Sequence, residues 1–398
     1  MQAKQLMNRK TVCHISYHPP LDDRIYWKEL ITLQAAGYAT VHLCVSDADA
    51  DYITAEGIRI IEIERKRIVP YIWLNRMLQI FLKNKSILKA LLQKAAGVKA
   101  DIYHYHDLQI NAIAKELKQL PQRPKLIYDV HEAYHLLFKI NTPTHLPQHF
   151  LYPLFIAAAK KWELLGARYC DYIIATDEYT LTYFGKKLPA IPKAIIYNYS
   201  YFLPATNTLQ PKKYHFIYSG SLGRERGIQE IIQATALLAK EFEDVKVLLI
   251  GPFPSKEVEH ETISLIETLQ LTNCIEWHKP VPFADIHIFY EQSYAGLCLL
   301  QANPKFVTAI PIKLFEYMAF GLPVIFSNHG PSAQIIKQAN CGLLVEPDNI
   351  TAICQAMKHL LNDKEQYHIY SRNAQKAVSQ TYHWNTQKEK LLAIYEAM

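Results

Sequence analysis

Apolar residues gather along this chain into short runs, and between the runs they recur at helical intervals. TVCHIS (Thr11–Ser16) is the first run and reads as a strand. A polar loop over 17–24 follows, then a helical pattern from about residue 25 to 36 that stops at Gly37, then a second strand over 40–45. A strand, a loop at its C-terminal end, a helix and another strand make the opening unit of a doubly wound parallel sheet, and ligands bind such sheets at those loops. Residues 101–107 read as a strand with a polar tip, and Lys125–Val130 as another that ends at His131-Glu132. Further strands are read over 171–175 and 194–197. Residues 201–213 carry two prolines and no periodicity and read as a linker. The pattern restarts with a strand over 215–218, a glycine-rich loop, a helix over 228–240, and strands over 245–250, 274–278 and 295–300. Two α/β domains follow, in line with a 398-residue chain and a usual limit of roughly 200–300 residues per core.

The second half contains the most informative stretch, PIKLFEYMAFGLPVIF at 311–326. Pro311 suits a first helical position and Gly321 the left-handed residue just past a helix end, so a short helix, a stop and a buried strand are read here. Ile312, Phe315 and Ala319 face a core, while Lys313 and Glu316 share another face near the helix N-terminus, an end suited to an anion such as a diphosphate. A carboxylate there would repel phosphate, and its natural partner is a sugar diol, whose adjacent hydroxyls both donate to it. The plain alternative is a surface helix with a Lys–Glu ion pair worth about 0.5 kcal/mol or less. Upstream, Gly220-Ser221-Leu222-Gly223-Arg224-Glu225-Arg226-Gly227 joins a strand to a helix. Its glycines let backbone approach a phosphate, and an arginine there offers two parallel hydrogen bonds to phosphate oxygens.

KLFEYMAFGLPVI, preceded by LCLL and followed by GLLVEPDN, resembles the donor-binding signature of family 4 retaining glycosyltransferases. SGSLGRERG is similar to that family's phosphate loop, YDVHE to its cleft histidine segment, and DDRIYWKEL to the N-terminus of one of its branches. The resemblance implies the GT-B fold: two Rossmann-like doubly wound domains facing across a cleft, with 1–205 taking the acceptor, 206–380 the nucleotide sugar, and 381–398 a helix crossing back to the first domain. It implies donor contacts from Gly220, Leu222, Arg226, Gly227, Gly251, Pro280, Val281, Lys313, Leu314 and Glu316, with Glu316 on the ribose and the diphosphate at the helix N-terminus. Catalytic roles fall to His131, Arg226 and Lys313, and cleft positions to Asp23, Arg24, His131 and Glu132. The implied reaction retains configuration, uses no metal and no cofactor, and moves a sugar from a nucleotide-diphosphate donor, UDP ahead of GDP. The implied acceptor is a glycan or a polyprenyl-diphosphate-linked oligosaccharide in bacterial surface-polysaccharide assembly. One position departs from the family pattern: Thr308 stands where the family has a second glutamate. That departure keeps a non-catalytic sugar-nucleotide binder open as an alternative, beside a sugar-nucleotide epimerase on the same fold.

Charge and composition add less. The net charge is +6 and half the residues are hydrophobic, which is ordinary globular composition. Residues 65–99 hold nine basic and no acidic residues among aromatic and aliphatic ones, a pattern suited to an anionic membrane surface, with a helix packed on its own domain as the alternative. Nucleic acid is set aside because no binding module accompanies the charge. Asp47, Asp49 and Asp51 read as a solvated acidic turn rather than a metal motif. His104, His106, His131 and His135 suggest zinc by spacing, but no local set completes four ligands, and no metal is expected. The seven cysteines form no CxxC pair and read as buried thiols in a reducing compartment. With no signal-peptide run and no membrane span, a cytoplasmic protein, peripheral on the inner membrane face, is the expectation.

Overall fold

The computed structural model describes residues 9–65, 85–106, 108–131, 134, 136, 152–201 and 212–398. The chain forms two compact units, one of Met1–Asn198 with Gln387–Met398 and one of Tyr199–Thr386. The sequence-predicted fold class is the one observed: each unit is a parallel, doubly wound α/β sheet.

In the first unit eight strands run in the order β3-β4-β2-β1-β5-β6-β7-β8, comprising β1 Thr11–Ser16, β2 Ala39–Ser46, β3 Ala50–Ile53, β4 Arg59–Glu64, β5 Ile102–His106, β6 Lys125–Val130, β7 Tyr172–Ala175 and β8 Lys193–Ile195. All pairs are parallel except β3 with β4. The acidic stretch is therefore partly a strand: Asp51 lies on β3, where Arg59 of β4 donates two hydrogen bonds to its carboxylate, at 2.8 and 2.7 Å. Chain order reverses between β1 and β5, which is where a ligand cleft opens in such sheets. One face buries an aliphatic and aromatic core with Leu91, Ile110, Leu126 and Phe184. On that face the helix Lys85–Val98 packs Ile87, Leu88, Leu91 and Ala95 inward and exposes Lys85, Lys89 and Lys94. In the described part of 65–99 the apolar stripe is thus core, and residues 66–84 lie outside the described residues.

The second unit has six parallel strands in the order β11-β10-β9-β12-β13-β14: β9 Tyr214–Ser219, β10 Val247–Ile250, β11 Ile275–His278, β12 Ser293–Cys298, β13 Val324–Ser327 and β14 Gly342–Val345. β9, β10, β12 and β13 are almost wholly buried, as parallel strands covered on both faces must be. Here chain order reverses between β9 and β12, so the loops after these two strands flank the switch point. Among the described residues, no helix is long and apolar enough to cross a membrane.

Candidate functional site

At the switch point of the second unit, the loop after β9 meets the helix Lys313–Ala319, all seven residues of which are buried. The helix ends as its glycine predicts: Gly321 takes φ 64°, and its N–H bonds the Met318 carbonyl at 3.0 Å. The start differs from the sequence reading. The helix begins at Lys313, and the N–H groups of Leu314, Phe315 and Glu316 already bond the carbonyls of Pro311 and Ile312 at 2.9–3.2 Å. A helix of about two turns with its first amides engaged offers an anion little, so the diphosphate expectation shifts from the helix end to the side chains around it.

Lys313 is the foremost of these. Its Nζ has no hydrogen-bond partner among the described residues and sits 3.7 Å from the centre of the Tyr218 ring. Burial, with Arg226 nearby adding to it, pushes the ammonium down to about 8. Gly220 makes room for it: a Cβ there would lie 2.8 Å from Nζ, and φ is 127°. Arg226 lies on the short helical turn Arg224–Arg226 that precedes Gly227, its guanidinium carbon 4.6 Å from the centre of the Phe306 ring. Two cationic groups are thus backed by aromatic faces, which hold them without neutralising them.

Glu316 is fixed on its other side. Tyr290 donates to Glu316 Oε2 at 2.7 Å, and the Tyr290 hydroxyl contacts Ser219 Oγ at 2.9 Å. The Tyr317 hydroxyl accepts from the Ser219 N–H at 3.0 Å, tying the helix to the end of β9. Leu222 and Leu314 are buried beneath this surface, Gly251 follows β10, and Pro280 (exposed) and Val281 (half-buried) follow β11. Thr308 bonds locally, its hydroxyl donating to the Lys305 carbonyl at 2.9 Å. Sequence reasoning missed Tyr218, Tyr290 and Phe306. Tyr218 was signalled only by standing two residues before Gly220; Tyr290 carries no local signal.

In the first unit the sheet face at its switch point is polar and buried. Register puts His14 beside His42 and His104, and His106 beside Asp129. Onto this face packs a π-helical segment, Asp23–Leu30, which continues as the α-helix Ile31–Ala35. Asp22, not Asp23, caps it, accepting from the N–H groups of Arg24 and Ile25. Asp23 instead accepts from Lys28 Nζ at 2.8 Å. Arg24 is an internal cation: its Nε lies 2.8 Å from Asp129 and 3.0 Å from Glu29, and its Nη1 donates to the Ile196 carbonyl. Burial works against the Asp129 carboxylate, but Arg24 above all outweighs it and holds the group well below the usual range. Burial pushes Glu29 well above that range, and pushes His14, His104 and His106 well below theirs, so all three imidazoles are neutral.

His131, at the tip of β6, bonds His106 through Nε2 at 2.9 Å, and its ring lies 5.0 Å from that of His18. Glu132 and His135 lie outside the described residues. The structure gathers His14 and Glu29 around His104 and His106, with nitrogen and oxygen atoms all within 4.8 Å of one another. Within this set His14 and His106 bond each other, while both Glu29 oxygens and His104 Nε2 have no hydrogen-bond partner among the described residues. His14 Nδ1 lies 3.0 Å from His106 Nε2, His104 Nδ1 lies 2.6 Å from the Tyr395 hydroxyl, and Arg24 already supplies the positive charge.

Residues 202–377 match the family model described as glycosyl transferases group 1. An uncharacterized glycosyltransferase of Haemophilus influenzae is 25% identical over 204 residues, 51% of this chain and 55% of that protein. Spore coat protein SA of Bacillus subtilis is 25% identical over 188 residues, 45% of this chain and 48% of that protein. The chain thus matches about half the length of these two curated relatives. Among solved structures, a sucrose-phosphate synthase from Thermosynechococcus elongatus superposes with a TM-score of 0.75 at 16% identity, covering 98% of this chain and 99% of that one. HepE of Anabaena, solved with UDP and glucose, gives 0.70 at 16% identity, covering 98% and 100%. The fold is GT-B, and the match to the group 1 glycosyl transferase model lies in the second half of the chain.

Proposed function

We propose that this chain is a glycosyltransferase that takes a sugar from a nucleotide-diphosphate sugar and transfers it with retention of configuration. The observation that carries the reading is Lys313. A buried ammonium with no hydrogen-bonded counter-ion costs several kcal/mol, and that cost is recovered when a ligand brings the anion. Lys313 and Arg226 would offset the charge that builds on the leaving diphosphate, which is electrostatic catalysis without a metal. Glu316, oriented by Tyr290, takes the ribose hydroxyls. UDP is favoured over GDP because HepE was solved with UDP and with UDP-glucose, and a trehalose-6-phosphate structure from E. coli with UDP-2-fluoro glucose, on this same fold.

The acceptor is a glycan or a polyprenyl-diphosphate-linked glycan of surface-polysaccharide assembly, met at the cytoplasmic face of a membrane. Exposed Lys85, Lys89, Lys94 and Lys99 supply basic surface for an anionic leaflet. His131 hydrogen-bonds a sugar hydroxyl. Attack on the same face as the departing diphosphate, with that diphosphate taking the acceptor proton, accounts for retention without a nucleophilic carboxylate. Thr308 in place of a glutamate favours one other reading, a sugar-nucleotide binder without turnover. Incubation with UDP-sugars in the absence of acceptor separates the two. Slow release of free sugar as the donor's own anomer, followed by NMR, is the transferase result; tight nucleotide binding with no release over days is the binder's.

A further inference from the structure

Four hydrogen bonds thread the buried polar face of the first unit into one chain. It runs from His131 Nε2 to His106 Nδ1 (2.9 Å), from His106 Nε2 to His14 Nδ1 (3.0 Å), from His14 Nε2 to the Tyr395 hydroxyl (3.1 Å), and from that hydroxyl to His104 Nδ1 (2.6 Å). Tyr395 comes from the far end of the sequence, on the helix Asn385–Glu396, and is fully buried. We propose that Tyr395 is a positioning residue for His131: through His14 and His106 it holds the His131 ring as the tautomer with hydrogen on Nε2 and a bare Nδ1, which accepts a hydrogen bond from a sugar hydroxyl. The last clause rests on the function proposed above; the rest stands without it.

A neutral imidazole donates through one nitrogen and accepts through the other, so a chain of them points one way throughout. The direction is set at the tyrosine. Its hydroxyl has one hydrogen, and its only partners among the described residues are His14 Nε2 and His104 Nδ1. Given to His104, that hydrogen leaves the oxygen to accept from His14, and in turn His14 Nδ1 accepts from His106 and His106 Nδ1 from His131. Given to His14, every bond reverses and the hydrogen on His131 moves to Nδ1.

Asp129 decides between them, because burial favours the uncharged form of Glu29, the other carboxyl on these rings, whose Oε2 lies 3.5 Å from His14 Nδ1, 3.8 Å from His106 Nε2 and 3.9 Å from His104 Nδ1. Its Oδ2 lies 3.3 Å from His131 Nε2, 3.5 Å from His106 Nδ1 and 3.8 Å from His104 Nε2. The first direction turns N–H groups towards this carboxylate from His131 and His104 and a lone pair from His106. The second turns two lone pairs and one N–H. The first also gives the shortest bond of the chain, 2.6 Å, to the hydroxyl hydrogen of Tyr395.

The test uses full-length protein labelled with 15N at histidine, with His131 assigned by comparison with His131→Gln. Long-range 1H–15N spectra report which ring nitrogen of each imidazole carries hydrogen. The wild type is expected to show His131 protonated at Nε2 and bare at Nδ1, and Tyr395→Phe to shift both His131 nitrogens towards averaged values. UDP affinity is expected to stay within about twofold in Tyr395→Phe, because the nucleotide site lies in the second unit; this readout separates a relay fault from a fault in the donor site. A wild-type His131 with its hydrogen on Nδ1 would overturn the proposal even if the variant fails to fold. So would a His131 spectrum unmoved by Tyr395→Phe, or wild-type imidazole shifts that change on EDTA dialysis, which would put a cation among these nitrogens.

Discussion

Lys313 concentrates the chemistry of the proposed donor site into one side chain. With its ammonium at about 8, it is charged at neutral pH and loses its charge over the next two pH units. Anion binding favours the charged form, so wild-type affinity for UDP should fall between pH 7 and 9.5, while Lys313→Met should bind more weakly at pH 7 and change little with pH. Hydrogen bonds to charged groups are worth about 1.5–3 kcal/mol, which makes the expected loss roughly 10- to 100-fold by calorimetry. Parallel pH curves for the two proteins would remove Lys313 from the site. Stability moves the other way. The unfolded chain holds the Lys313 proton up to about 10.5 and the folded chain only to about 8. Between those values the unfolded state binds more protons, and this residue's contribution to stability rises with pH. Lys313 and Glu316 were legible in the sequence because a helix start, a glycine stop and their three-residue spacing are local. What surrounds them was not: Tyr218, Tyr290 and Phe306 reach the site by tertiary packing.

Short elements carry the site by pinning it to strand ends. Tyr290, at the end of the helix Ile286–Glu291, holds Glu316 and contacts Ser219 at the end of β9. Tyr290→Phe keeps the packing and removes one hydrogen bond to a charged group, so UDP affinity should drop about tenfold with little change in melting temperature. An unchanged affinity would mean that Glu316 needs no orienting. In the first unit the helix Tyr152–Ala167 places Glu163 against the sheet, where Tyr128 donates to it at 3.0 Å. Burial pushes this carboxyl up to about 7 against about 4.5 when unfolded. Over that range the folded state holds the extra proton, so stability contributed here falls as pH rises and stays low above 7. Glu163→Gln keeps an acceptor for Tyr128 and removes the buried charge, and is expected to stabilise the protein by up to about 3 kcal/mol at pH 8 and by little at pH 4.5. Urea titrations at both pH values check this. Elements such as β1 and β6 were readable because parallel strands bury both faces and appear as apolar runs. β3 was read as a polar turn because an edge strand need not be apolar, and nothing in DRIYWKEL signals a π-helix.

Each unit repeats one plan, a largely parallel sheet with a switch point beside its first strand and polar groups gathered there. The two-domain plan followed from length and from the restart of the strand pattern after 201–213. The buried polar face of the first unit did not, because no local pattern connects His14, Glu29 and Tyr395; sheet register and a helix from the chain's end bring them together, His14 and Tyr395 being 381 residues apart. A histidine inside each of three strands that proved adjacent was the one available signal. The proposed function makes the second unit a nucleotide-diphosphate site built on Lys313 and Glu316. Its most direct test is thermal-shift binding of UDP and GDP to wild type, Lys313→Met and Glu316→Ala. A ligand that binds only the folded state raises the midpoint by mass action, by about 2.7 kcal/mol in stability at a hundred times its dissociation constant. A rise with UDP that exceeds that with GDP and is lost in both variants is expected. No rise with either nucleotide, or a rise that survives both substitutions, would contradict it.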